Sequence, residues 1–121
     1  MSLQPIDTAS AVILIVTIVA NAGFALADFA SAKFVLTNSA QVGVSTAWLP
    51  MLGGLKATGA VGLLIGLLGF RPIGVAAAIG LVAFFIGAVA VHVRARVFYN
   101  IGFPMAVLAL AVASLLVLVF E

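Results

Sequence analysis

The sequence has no cysteine, one histidine, one tryptophan, one tyrosine and only three acidic residues in 121 positions. Without cysteine there is no disulfide, thiolate metal site, iron–sulfur cluster or cysteine nucleophile. Charge is nearly as scarce, since Asp, Glu, Lys and Arg make up 7% of the chain where a soluble domain carries about 25%. That is too little to clothe a water-exposed surface. The five basic residues are scattered, so a pI near 9.7 leaves no nucleic-acid footprint, and no nucleic acid is expected as a partner. The amino terminus, Met1-Ser2-Leu3-Gln4-Pro5-Ile6-Asp7, carries no Lys or Arg. The basic n-region of a removable signal peptide is therefore missing, and the first apolar run reads as a mature helix.

What the chain has instead is long apolar runs. Hydrophobic residues are 66% of it and the mean hydropathy is +1.44. A helix needs about 20 apolar residues to cross a hydrocarbon core of roughly 30 Å, so four crossings use nearly the whole length. The expected fold is an all-α integral membrane four-helix bundle, one transmembrane domain over residues 1–121, with spans near 9–31, 49–69, 72–95 and 102–120. Asp7, Thr8 and Ser10 are cap candidates for the first span. Gly69-Phe70-Arg71-Pro72 reads as a tight turn, because Gly ends a helix at little cost and Pro suits a first turn.

The connection from Phe29 to Trp48 is long, where 2 to 8 residues usually join neighbouring helices. Its apolar content (Phe34, Val35, Leu36, Val42, Val44) argues against a plain linker. It reads as a short interfacial or re-entrant helix, a lid over one mouth of the bundle. Gly59, Gly62, Gly66 and Gly69 fall within about 80° of one another on the second span. Gly80, Ala83, Gly87 and Ala90 form a matching stripe on the third. Facing stripes of small residues are expected to bring these two helices close.

Charged side chains at bilayer depth cost about 2.5 to 3.5 kcal/mol each on insertion scales, so each needs a partner, a wet cavity or a function. In a hairpin array Asp28, Lys33, Lys56, His92, Arg94 and Arg96 all fall at one end. Lys56 lies roughly 10 Å into the second span. Its ammonium can snorkel part of that distance, but the flanking glycines suggest a crowded bundle interior, so a functional or ion-paired role stands beside simple snorkelling. Thr17, Asn21, Phe24 and Asp28 share one face of the first span, which makes Asp28 the natural counter-charge for Lys56 or Arg94. Helical arithmetic continues the third-span stripe to Arg94 and turns His92 about 160° away from it. The candidate ligand-binding residues are Asp28, Lys56, His92, Arg94, Asn21 and Tyr99, beside Asn100 and an aromatic wall of Phe84, Phe85 and Phe98. Asn21 can equally serve as a bridge between helices.

No serine sits beside a histidine base, no pair of carboxylates shares a depth, and no phosphate loop or dinucleotide fingerprint is present. With one histidine and one nearby carboxylate, no metal or haem site is expected. A basic, partly buried mouth suits an anionic or carbonyl-bearing head on a lipophilic body, with a quinone or a lipid-like molecule as the obvious class.

WLPMLGGLKATGAVGLLIGL, RPIGVAAAIGLVAFFIGAVAVHVRAR and the ADFASAKFVL end of the first span resemble the DoxX-like family of small four-helix bacterial membrane proteins. The resemblance covers about three quarters of the chain, and its Gly-rich second span followed by GAVAVHVRAR is its most specific part. It implies a multi-pass protein of the bacterial plasma membrane, similar to subunits of thiosulfate:quinone oxidoreductase and to membrane components of oxidant defence. His92, Arg94 and Arg96 match the family pattern. Lys56 departs from it, because an acid stands at that position in much of the family, so no role of that acid carries over.

Three functions follow from this reading. The first is a redox-associated subunit that binds a quinone or similar lipophilic molecule, as a homo-oligomer or beside a partner redox protein. The second is a small homo-oligomeric transporter or channel, disfavoured because Asp28 lies near the end of its span rather than at the membrane centre. The third is a membrane scaffold or assembly subunit. Lys33, Arg94 and Arg96 at one end against Arg71 at the other favour a cytoplasmic basic mouth with both termini outside.

Overall fold

The computed structural model describes residues 6–121. Among them are five α-helices and a short 3₁₀ turn: α1 (Thr8–Phe29), α2 (Lys33–Gln41), the turn Thr46–Trp48, α3 (Leu49–Leu67), α4 (Arg71–Arg94) and α5 (Gly102–Phe120). The four long helices are apolar and long enough to cross a membrane, and the span limits expected from the sequence agree with them to within two residues. Asp7 caps α1 by accepting the Ser10 backbone N–H at 2.8 Å. Gly69 adopts φ +125°, a left-handed value that stops α3, and Pro72 lies in the first turn of α4. At the other end Ser31, at φ 51°, turns the chain from α1 into α2.

The long helices pack in a ring, α1 on α3, α3 on α4, α4 on α5 and α5 back on α1. Leu14, Leu63, Ala78, Leu81, Ala111 and Leu118 fill its centre. The outer faces remain apolar, with Val19, Leu26, Leu68, Ile86 and Leu116 exposed, as lipid requires.

The glycines of α3 do bring α4 close, but against a different face of α4 from the one expected. A Cβ on Gly62 would lie 2.5 Å from the Cβ of Ala77, and one on Gly66 would lie 2.6 Å from the Cα of Gly74. Gly59 meets Leu81. The stripe Gly80, Ala83, Gly87, Ala90 is exposed, a Cβ on Gly80 or Gly87 would meet nothing within 4 Å, and Ala83 and Gly87 border the cavity beneath α2. The buried line of α4 is Gly74, Ala78, Leu81, Phe85 and His92. That line was obscured because it mixes small and large residues, whereas the exposed stripe is uniformly small.

The buried line of α1 is Ser10, Leu14, Thr17, Asn21, Ala25 and Asp28. Four of its six residues are polar, and hydrogen bonds satisfy them in part. Ser114 Oγ donates to Thr17 Oγ1 at 2.9 Å, while Thr17 donates to the carbonyl of Ile13 at 2.8 Å. Ser10 Oγ donates to Glu121 Oε1 at 2.8 Å. The Ser114–Thr17 and Ser10–Glu121 bonds tie the carboxyl-terminal segment to α1 where apolar contact alone gives little preference over lipid. Arg71 is buried and donates to the carbonyl of Leu118 at 3.1 Å.

Candidate functional site

At the end of the bundle opposite both termini, the helices diverge around a cavity of about 980 Å³. α2 forms its roof. Val35, Ser39 and Val42 are buried and Asn38 half-buried, a spacing of three and four that sets one face of α2 over the cavity. The helix expected between the first two spans therefore exists, and it covers the mouth as a lid would.

The floor holds an ion pair. Lys56 Nζ donates to Asp28 Oδ2 at 2.7 Å, with side chains 14% and 3% exposed. Asp28 comes from the last turn of α1 and Lys56 from the second turn of α3, helices brought together where Gly53 of α3 meets Asp28 and Phe29 of α1. The ammonium also lies 5.3 Å from the ring centroid of Phe84 and 5.9 Å from that of Phe24, within cation–π range. A charged pair with two aromatic faces against the cation is how a lysine is tolerated at this depth.

A second polar group joins the wall to the roof. His92 Nδ1 donates to the carbonyl of Ala88 at 2.8 Å, and its Nε2 lies 3.1 Å from Asn38 Oδ1 on α2. Asn100 Nδ2 donates to the same Asn38 oxygen at 3.0 Å, while Asn100 Oδ1 is buried with no partner among the described residues. Asn38 thus joins His92 of α4 and Asn100 of the α4–α5 connection to the roof helix. Beside them the Tyr99 hydroxyl donates to Gln41 Oε1 at 2.6 Å.

Phe24, Phe84, Phe85, Phe103 and Val107 are among the apolar side chains that line the cavity, and Lys33 stands exposed on the rim. Phe84 and Phe85 pack edge to face, 5.0 Å apart. A cavity of mostly apolar lining with a charged donor at its floor and polar groups under its roof can hold a molecule with a polar head and a greasy body.

Of the sequence-derived candidates, Asp28, Lys56, His92 and Tyr99 line this cavity. Arg94 does not: it is exposed, and His92 takes the inward position that the stripe arithmetic had given to Arg94. The error follows from the stripe itself, since its residues are exposed and are not the line packed against α3. Arg94 lies in the last turn of α4, where a cation suits the helix dipole. Asn21 is fully buried outside the cavity wall. Its Nδ2 donates to the carbonyl of Thr17 at 2.9 Å, and its Oδ1 has no partner among the described residues. Phe98 is exposed and makes no part of the aromatic wall, where Phe24 and Phe103 stand instead. Asn38 was not singled out from sequence; its signal is the Val35, Asn38, Ser39, Val42 spacing along α2 and its C-cap.

No curated protein and no solved structure matches the chain. The profile of the DoxX-like family matches residues 11–114, a stretch that takes in the ion pair, the roof helix and the His92 group. With four membrane-crossing helices and a family match over most of its length, this multi-pass membrane protein belongs to the DoxX-like family.

Proposed function

We propose that the protein is a redox-associated membrane subunit that binds a quinone or a similar lipophilic carbonyl compound in the cavity beneath α2. The observation that carries this reading is the Lys56 ammonium, fixed by Asp28 at 2.7 Å and faced by Phe24 and Phe84 in a cavity of about 980 Å³ lined mostly by apolar side chains. One N–H of Lys56 goes to Asp28. The ammonium has three, so two can serve a carbonyl oxygen whose ring lies between the phenylalanines. The volume falls within the range of about 300 to 1,000 Å³ usual for small-molecule sites.

The chain has no cysteine and one histidine, so the redox centre that would exchange electrons with a bound quinone is assigned to a partner protein. The proposed setting is the bacterial plasma membrane, with the protein as a homo-oligomer or beside that partner. The apolar plug of Leu14, Leu63 and Leu118, each 0% exposed, closes the bundle below the cavity and favours binding over conduction.

The test uses Trp48, the single tryptophan, which stands beside the cavity residue Leu49. In lipid nanodiscs a short-chain quinone is expected to quench its fluorescence to saturation. The double variant Asp28→Asn/Lys56→Met, which removes both charges together, is expected to weaken that binding at least about tenfold, as befits a charge-assisted hydrogen bond. Quenching that never saturates, or that is equal in the double variant, would remove the reading.

A further inference from the structure

Lys56 is also a primary amine, and the binding reading makes no use of its nucleophilicity. Three features meet at its Nζ: a carboxylate at 2.7 Å, aromatic rings at 5.3 and 5.9 Å, and a cavity walled largely by apolar side chains. We infer that Lys56 captures membrane-dissolved aliphatic aldehydes as a protonated imine, with Asp28 as proton shuttle and counter-ion. The inference rests on the same cavity as the quinone reading but needs neither a quinone nor a redox partner.

The chemistry balances within the pair. Asp28 accepts one proton from the Lys56 ammonium along their hydrogen bond, and the freed lone pair attacks the aldehyde carbon as the carbonyl π electrons move to oxygen. A proton passes from nitrogen to that oxygen, giving a neutral carbinolamine. Asp28 then returns its proton to the hydroxyl, which leaves as water while the nitrogen lone pair forms the C=N bond. The sum is R–CHO plus Lys56–NH₃⁺ giving R–CH=NH⁺–Lys56 plus H₂O. Asp28 ends as a carboxylate opposite a cation, as it began, and no oxidant or reductant is consumed.

The surroundings decide which lysine reacts and how long the product lasts. An exposed imine is soon hydrolysed, whereas the Lys56 side chain is only 14% exposed and its nitrogen faces Phe24 and Phe84, so water reaches this carbon less freely. The product remains a cation, so it keeps its ion pair and its place against Phe24 and Phe84. Lys33 provides the comparison inside the same molecule. It stands exposed on the rim, with no carboxylate partner among the described residues and nothing to keep a bound imine dry. An aliphatic tail of the aldehyde has the apolar wall to lie on, so selectivity for Lys56 should grow with chain length.

The test is reductive trapping. Protein in nanodiscs is incubated with hexadecanal, a saturated aldehyde that leaves no route for conjugate addition, and sodium cyanoborohydride is added. Intact mass and peptide mapping then locate the alkyl group. The expected result is one hexadecyl group on Lys56, at about ten times the yield on Lys33, with the ratio falling when acetaldehyde replaces hexadecanal. The label should persist in Lys33→Arg, fall in Asp28→Asn and vanish in Lys56→Arg, which keeps a cation opposite Asp28 but cannot form an imine. Equal labelling of Lys33 and Lys56, or a ratio independent of chain length, overturns the inference; both are read on the unmodified sequence, so a misfolded variant cannot obscure them. A protein that binds quinone but gives no Lys56 adduct overturns this inference and leaves the quinone reading intact. One that forms the adduct without binding quinone does the reverse.

Discussion

Asp28 and Lys56, 28 residues apart in sequence, meet at 2.7 Å and join the end of α1 to the second turn of α3 beneath the roof helix. Each residue alone would be an uncompensated charge inside a bundle in lipid. Together they make a floor that is polar at one point and apolar around it.

The pair predicts a stability pattern. Asp28→Ala leaves a lysine stranded and should cost about 3 kcal/mol, the lower end for breaking a buried pair, since Lys56 keeps some exposure. Asp28→Asn/Lys56→Met removes both charges and should recover most of that loss. Reversible unfolding in mixed micelles reads both values. A double variant no more stable than Asp28→Ala would mean that the ion pair does not set the local energetics.

The α3–α4 contact predicts a contrast between two glycines. Gly66→Ala sets a methyl against the backbone of Gly74, at a separation of 2.6 Å, and should destabilise by about 1 to 3 kcal/mol through overpacking. Gly80→Ala points into open space and should be neutral or slightly stabilising, as alanine is the better helix former. Thermal midpoints of the two variants provide the comparison, and equal effects would refute the assigned packing face.

The roof is held by few side-chain bonds, chiefly His92 and Asn100 to Asn38 and Tyr99 to Gln41. Asn38→Leu removes two of these bonds and should raise hydrogen exchange across residues 33–41 by about tenfold, equivalent to some 1.4 kcal/mol, the worth of one or two hydrogen bonds. Exchange in α5 should be unchanged. Uniform acceleration over the whole chain would mean that Asn38 supports the fold and not the roof alone.

Asp7 predicts an acid-sensitive helix end. The backbone N–H of Ser10 donates to its carboxylate and, with smaller contributions from the Ser10 side chain and Glu121, holds its pKa below the ordinary value of 3.8. A depressed pKa makes the stabilisation present above the unfolded value and lost as pH falls through the folded one. The first turn of α1 should therefore fray below about pH 3.8, read by faster exchange of the Ser10 amide after correction for the intrinsic pH dependence. Asp7→Asn keeps an oxygen acceptor for the cap and should show no such acid limb.

Apolar run length made the four spans legible in the sequence, because lipid demands helices of a fixed length with their backbone bonds closed internally. An ion pair of Asp28 was legible for a related reason, since a buried charge needs a counter-charge, but the sequence left Lys56 and Arg94 both open as the partner that the structure shows to be Lys56. The facing of α4 was not. Small residues serve both close packing and lipid-exposed surfaces, so Gly80, Ala83, Gly87 and Ala90 resembled a contact stripe, while the true contact interleaves Gly74 and Ala77 with Leu81. Arg94 and His92 exchanged their expected positions for that reason alone. Asn38 was missed although a short helix was expected there, because the limits of that helix, and so the face it turns to the cavity, were not fixed by the sequence.

The binding claim is tested most directly by placing a ligand. Crystals grown in a lipid phase and soaked with a bromine-substituted benzoquinone should show an anomalous bromine peak between Phe24 and Phe84, with a ring oxygen within hydrogen-bond distance of Lys56 Nζ. A bromine peak confined to the outer lipid-facing surfaces, with the cavity beneath α2 unfilled at saturating ligand, would contradict it.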